Sequence, residues 1–300
     1  MPLTYAPIMV CPALDQPNQA RLDVVGELAE RFEAGIVGIA AAQFAPPLYF
    51  TDGGLAQNLI DQGEASIRKR LSELEVQLRE ATRHRSKQVE WRSALDFPAR
   101  FILREARCAD IIVSGGLNPA FSDVFAVSAL KDLVMQAGRP LLVVPDGVNW
   151  LDLRSVLVAW KDTAEARRAA ADSLPLLRKA GEVTVAEVLE KGDDRSSAEA
   201  RVRDVVAWLS RHGVSAAGRV SENHGSQDAT MRLDDIAGEI GTADRRRRLW
   251  SFALPRTCPR RHDGASSYSV HPLCSAVSLN RANNEGVPCT NFSRKRPETT

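Results

Sequence analysis

The chain is poor in cysteine and aromatic residues and has almost no net charge. Five cysteines in 300 residues, with Cys11 and Cys108 far apart, offer neither a disulfide framework nor metal-ligand spacing. That usage fits a reducing, cytoplasmic compartment. A net charge of +1 leaves no bulk field to recruit nucleic acid or a membrane surface. Long apolar runs are missing too. The longest, "GIVGIAAAQFAPPLYF", is short for a bilayer span and is broken by two prolines, and no signal peptide precedes the first strand. No Ser-His-Asp or Cys-His arrangement stands out, and no paired carboxylates suggest hydrolysis, so the sequence carries no positive sign of an enzyme.

What is present is ordinary for a folded protein: 44% hydrophobic residues and 26% charged ones, in a length that suits one large or two medium domains. "APIMV" reads as a first strand and "QARLDVVGELAERF" as an amphipathic helix with Leu22, Val25, Leu28, Ala29 and Phe32 on one face. "AGIVGIAAA", apolar throughout, reads as a strand covered on both sides. A charged helix over about 64–83 follows, then a third strand in "KQVEWRSA". In "DFPARFILREARC" a helix starts with Asp96 as N-cap and Pro98 in its first turn. "ADIIVSGG" is a fourth strand, "SDVFAVSALKDLVMQAG" a helix stopped by Gly138, and "RPLLVVPDG" a fifth strand. Strand and helix alternate, which predicts a parallel sheet with helices on both faces.

After "PDGVNWLDLRS" the pattern restarts. "RSVLVAWKDT", "EVTVAEVLE" and "VSAAGRVSE" are strands; "AEARRAAADSLPLLRKAG", "SSAEARVRDVVAWLSRHG" and "QDATMRLDDIAGEIG" are helices. The pieces duplicate the first half: "EARCADIIVSGG" stands where "GEIGTADRRRRL" stands later. The first copy continues into Ile111, Ile112 and Val113, whereas the second offers Arg245 to Arg248. Unpaired guanidinium groups in a sheet buried on both faces cost several kcal/mol each. The second sheet is therefore expected to stop at its third strand. This divides the chain into a first domain over 1–150, a second, incomplete domain over 151–244, and a tail over 245–300.

Over residues 5–244 the chain resembles the universal stress protein family in its tandem two-domain form. The resemblance rests on "VLVAWKDTAEARRAAADSLPLLRKAGEVTVAEV" in the second copy and on "DVVGELAERFEAGIVGIAAA" with "ARCADIIVSGG" and "GRPLLVVP" in the first. It implies an α/β fold of two tandem doubly wound parallel-sheet domains, Rossmann-like and similar to adenine nucleotide alpha hydrolases, the second one truncated here. It also implies a cytoplasmic stress-response regulator, self-association or pseudo-dimer pairing of the two copies, and ATP or AMP at the carboxyl ends of the strands, with no metal beyond nucleotide-associated Mg. No specific nucleic acid and no membrane partner are implied. Family members carry an acid just after strand one and a G-x2-G-x9-G-[ST] loop after strand four. Trp160, Asp162 and Thr163 match the first feature, with the acid displaced by one position; Gly115 and Gly116 begin the second feature in the first copy, without a downstream G-[ST] pair. The first copy is accordingly read as not binding ATP, and the second, lacking the glycine loop, as impaired. Two other readings stand beside this: an enzyme using adenine nucleotide on the same fold, and a pure interaction module without nucleotide.

The tail has its own explanation. Residues 245–300 hold ten arginines, one lysine, three acids and three cysteines. Read one base later from Arg245, with free choice of synonymous codons, the tail yields a strand, a G-x2-G turn, nine residues and a G-G pair, and later a stop. A frame shift near Asp244 makes 245–300 unselected sequence, expected to be disordered for want of a periodic apolar face. The arginine run is then a by-product of GC-rich codons rather than an anion patch. Cys258, Cys274 and Cys289 fit no zinc spacing. Asp162 and Thr163 equally suit helix capping, Trp160 and Trp208 suit core or interface positions, and His212 suits the last turn of a helix closed by Gly213. Cys11 and Cys108 read as small buried hydrophobes.

Overall fold

A computed structural model describes residues 4–44, 53–86, 88–115, 133, 136–144, 148–190 and 192–222, together with two short strands of the tail. The first unit runs β1 (Pro7–Val10), α1 (Gln19–Phe32), β2 (Gly35–Ala41), α2 (Gly53–Thr82), β3 (Val89–Ala94), α3 (Pro98–Glu105), a 3-10 turn over Ala106–Cys108, β4 (Ile111–Gly115) and β5 (Leu141–Val144). The second unit runs β6 (Ser155–Trp160), α4 (Ala164–Asp172), α5 (Leu174–Leu177), β7 (Glu182–Leu189), α6 (Arg195–Arg211) and β8 (Ala216–Glu222). Strands β9 (Trp250–Ala253) and β10 (Val277–Leu279) come from the tail.

The apolar strands lie where such runs must lie. Ile8, Met9 and Val10 of β1 have no accessible surface, because the strand is covered on both sides. On one face Ile8 and Val10 meet Leu22, Val25 and Leu28 of α1; on the other Met9 meets Phe101 and Ile102 of α3. That placement is the doubly wound arrangement predicted by the alternation of elements. The first unit orders its strands β3-β2-β1-β4-β5, all parallel. The chain moves outward from β1 in one direction and from β4 in the other, so β1 and β4 flank the switch point. In the second unit β6, β7 and β8 are parallel neighbours.

One apolar cluster crosses the boundary between the copies. It joins Tyr5, Leu28 and Phe32 to Leu151, Leu153, Leu174 and Leu177. The Tyr5 hydroxyl donates to the Asp172 carbonyl at 2.7 Å. Glu27 accepts from the Leu151 amide at 2.5 Å, and Arg31 donates to the Leu151 carbonyl at 3.0 Å.

Several expectations change. Helix α2 starts at Gly53, earlier than the charged stretch suggested. Phe97, not Asp96, is the N-cap of α3; Asp96 instead accepts from the Phe97 amide at 2.8 Å. The single helix expected after β6 breaks at Ser173 into α4 and α5, with Pro175 in the first turn of the second piece. Proline lacks the amide needed to continue a helical ladder, so the break falls just before it. The sheet does not stop at β8. Its order is β3-β2-β1-β4-β5-β9-β10-β6-β7-β8, with β9 and β10 antiparallel to each other and to their outer neighbours β5 and β6. The inner edges of β5 and β6 present unpaired amides and carbonyls, and any short extended segment can satisfy them. The arginines at 245–248 lie outside the described residues, as do the helix expected over 227–241 and most of the one ending at Gly138. The φ of +61° at Gly138 suits its assigned role as a stop.

Candidate functional site

Open parallel sheets bind ligands beyond the carboxyl ends of their strands, at the switch point. In the first copy that place is the gap between β1 and β4. The chain leaves β1 at Cys11, whose amide donates to the Val113 carbonyl at 3.0 Å. The loop then folds back on Asn18, whose side chain accepts from the Ala13 amide at 2.9 Å and donates to the Ala13 carbonyl at 2.8 Å. From the first turn of α1, Arg21 reaches into the gap. Its guanidinium donates to the Cys11 carbonyl at 2.7 Å and to Asn18 Oδ1 at 3.0 Å, and the residue is only 5% exposed. Gly115, at the end of β4, faces this guanidinium: a Cβ added there would lie 1.8 Å from Arg21 Nη2. Burial pushes the Cys11 thiol up to about 12, with the Arg21 charge acting in the opposite sense.

In the second copy the sequence-assigned residues sit together at the end of β6. Trp160 closes the strand, almost fully buried, and its indole N–H finds no acceptor among the described residues. Thr163 caps α4 by accepting from the Ala166 amide at 3.2 Å. Asp162, half-exposed, is paired with Arg167 from the first turn of α4. Lys161 reaches Glu190 at 2.6 Å. Parallel pairing sets Glu187 of β7 directly beside Trp160. Glu187 is buried and accepts from Arg201 of α6, with Nε at 3.2 Å from Oε1. This hydrogen bond holds the Arg201 guanidinium above its ordinary range.

Of the residues the sequence named, Trp160, Asp162 and Thr163 lie together at the end of β6, Gly115 lies at the end of β4 in the other unit, and Gly116 lies outside the described residues. Sequence reasoning missed Arg21, Asn18, Glu187 and Arg201. The signal for Arg21 was present: 21, 25 and 28 are helix-spaced positions on an apolar face, and an arginine on such a face needs buried acceptors. Glu187 stood similarly, one acid at the end of the apolar strand "VTVAEVL".

Among the described residues no three His, Cys, Asp or Glu side chains converge on a common metal position, and no helix is long and apolar enough to cross a membrane. Among the described residues a depression of about 160 Å³ between α2 and β3 is lined by Arg68, Leu71, Glu75 and Trp91. It lies at the sheet edge, away from both strand-end clusters, and is smaller than ordinary small-molecule sites.

These features define an α/β protein on an open, largely parallel sheet, with polar side chains gathered at the carboxyl ends of β1 and β6. Its fold is that of universal stress proteins: the chain superposes on such a protein from Archaeoglobus fulgidus with a TM-score of 0.58 and 15% identity, covering 80% of this chain and 84% of that one. UspA from Lactobacillus plantarum is matched at 18% identity and a TM-score of 0.35, over 47% of this chain and 98% of its own. A universal stress protein in complex with cAMP is matched at 18% identity and a TM-score of 0.32, over the same shares. No family model matches the sequence, and a search of curated proteins finds no match.

Proposed function

We propose that the chain is a tandem universal stress protein, a cytoplasmic stress-response regulator whose handling of adenine nucleotide is impaired. The observation that carries the reading is the shared fold over four-fifths of the chain, joined to two successive strand-helix units. The second copy is the nucleotide-handling one. Trp160, Asp162 and Thr163 stand at the end of β6, where a ligand would meet the exposed Asp162 and the start of α4. ATP or AMP is the ligand class, with magnesium entering only with the nucleotide. Two facts support impairment. The glycine loop is absent from the second copy as read, and Asp162 is engaged by Arg167, so a nucleotide must displace an ion pair before using the acid. The two copies act as a pseudo-dimer within one chain, a reading supported by the apolar cluster they share.

Titration calorimetry of the full chain with ATP and with AMP tests this. The expected dissociation constant is near about 1 mM, a binding free energy of about −4 kcal/mol, and Asp162→Ala weakens it further. Micromolar binding lost on Asp162→Ala would overturn the impairment, and hydrolysis above the buffer rate lost in the same variant would establish the enzyme reading. The engagement of Asp162 by Arg167 also favours a second reading, an interaction module with no nucleotide; heats indistinguishable from dilution for both ligands would establish it.

A further inference from the structure

We propose that Arg21 is a built-in occupant of the first copy's switch-point crevice, closing it to nucleotide from within. Three observations converge on it. The guanidinium is buried at the carboxyl ends of β1 and β4, where an open parallel sheet would otherwise admit a ligand. One nitrogen of it, Nη1, is committed to two of the protein's own acceptors, the Cys11 carbonyl and Asn18 Oδ1, and Asn18 in turn ties both backbone groups of Ala13. Gly115 supplies the clearance, since any Cβ there would fall inside the guanidinium.

The last point reverses the meaning of a glycine at this place. In a phosphate-cradling loop glycine lets a ligand approach the backbone; here it admits an arginine of the same chain. A guanidinium is planar, always charged and rich in donors. Once seated it holds the β1–α1 loop and the end of β4 in one geometry and fills the volume a ligand would need. The chain thus takes at most one nucleotide, in the second copy. That stoichiometry rests on the nucleotide reading above; the occupancy of the first crevice does not.

The test uses the full chain. Arg21→Ala removes the buried fork, leaving a cavity and unpaired acceptors, so its melting temperature falls. Millimolar guanidinium chloride, which can re-enter the vacated space, is expected to restore about half or more of that loss. Sodium chloride of equal ionic strength restores none, and wild type gains nothing from either salt. Arg21→Lys keeps one charged donor nitrogen without the planar guanidinium and is expected to fall between Arg21→Ala and wild type. In wild type, saturating ATP leaves amide exchange at residues 11–21 and 111–115 unchanged. Wild-type stability in Arg21→Ala, a recovery equal in both salts, or ATP protection at those amides would overturn the proposal. Should Arg21→Ala fail to fold, Gly115→Ala decides: its Cβ must evict the guanidinium, so a melting temperature equal to wild type refutes the occupancy. A chain that binds no nucleotide anywhere defeats the proposed function and leaves the guanidinium result standing.

Discussion

Glu105 shows how much a single buried carboxylate is asked to do. It is 6% exposed and faces three arginines, with Arg92 donating to Oε2 at 2.6 Å and Arg104 and Arg107 within 3.4 Å. The hydrogen bond from Arg92 holds its carboxyl below the ordinary range, against the opposing effect of burial. A folded pKa below the unfolded one means stability that is complete above the unfolded value, about 4.3 for glutamate, and lost as pH falls through the folded value. Glu105→Gln is therefore expected to melt below wild type at pH 7, with the gap closing as pH falls below about 4. Thermal melts across pH 7 to 3 check this, and a gap that stays constant over the series contradicts it. Such a residue is hard to find from sequence. "FILREARC" announces a helix, but nothing in it says which of its charges turns toward Arg92, thirteen residues earlier on a neighbouring strand. Arg21 and Glu187 were hidden for the same reason. Their partners come from loops and strands whose approach is decided by tertiary packing, and a charge becomes a site only once that approach is known.

Elements were easier to read, because apolar periodicity is local. Helix α1 spans the stretch that the spacing of Leu22, Val25, Leu28 and Phe32 marks out, and β1 to β8 each fall inside a stretch read as a strand. Ends and contacts were less legible. The N-cap of α3 moved by one residue, and α2 extends toward its N-terminus through Leu55 and Leu59, both exposed, where no buried stripe marks a helix. Two substitutions test how elements are held. Thr163→Ala removes the hydroxyl that caps α4 and is expected to cost about 1 kcal/mol, with Thr163→Ser close to wild type. Urea unfolding without nucleotide measures it; an unchanged midpoint would assign Thr163 to ligand rather than to the helix. Gly38 marks where α2 crosses β2, for an added Cβ would meet Leu78 Cδ2 at 2.3 Å and the Trp91 ring at 2.5 Å. Gly38→Ala should then cost roughly 1–3 kcal/mol through overpacking, and an unchanged urea midpoint would mean that helix and ring have room to yield.

At the scale of the whole molecule, the two units run in opposite directions within one sheet, because the three antiparallel pairings β5–β9, β9–β10 and β10–β6 reverse the sense an odd number of times. The carboxyl ends of β1 and β6 consequently lie at opposite ends of the sheet. The tail strands occupy the place where a complete second copy would put its own fourth and fifth strands, and a fourth strand would there lie parallel to β6. The antiparallel pair stands where a full second copy would place a parallel strand: short extended segments fill the ladder. Repetition of the first copy made this gap visible in the sequence; which later residues would fill it was not visible, since β9 and β10 carry no strand-length alternation. Ser251 is the register residue at the centre of the patch, opposite Val143 on one side and Ser278 on the other. Proline there removes an amide donor and clashes within an inner strand. Ser251→Pro is expected to release both tail strands and bare the edges of β5 and β6. Those edges, Leu141–Val144 and Ser155–Trp160, are apolar and straight, the kind that recruits another chain. Light scattering should then report self-association at concentrations where wild type keeps its mass, together with a lower melting temperature. If Ser251→Pro keeps both the mass and the melting temperature of wild type, the tail contributes nothing to the sheet, and β5 and β6 must be covered in some other way.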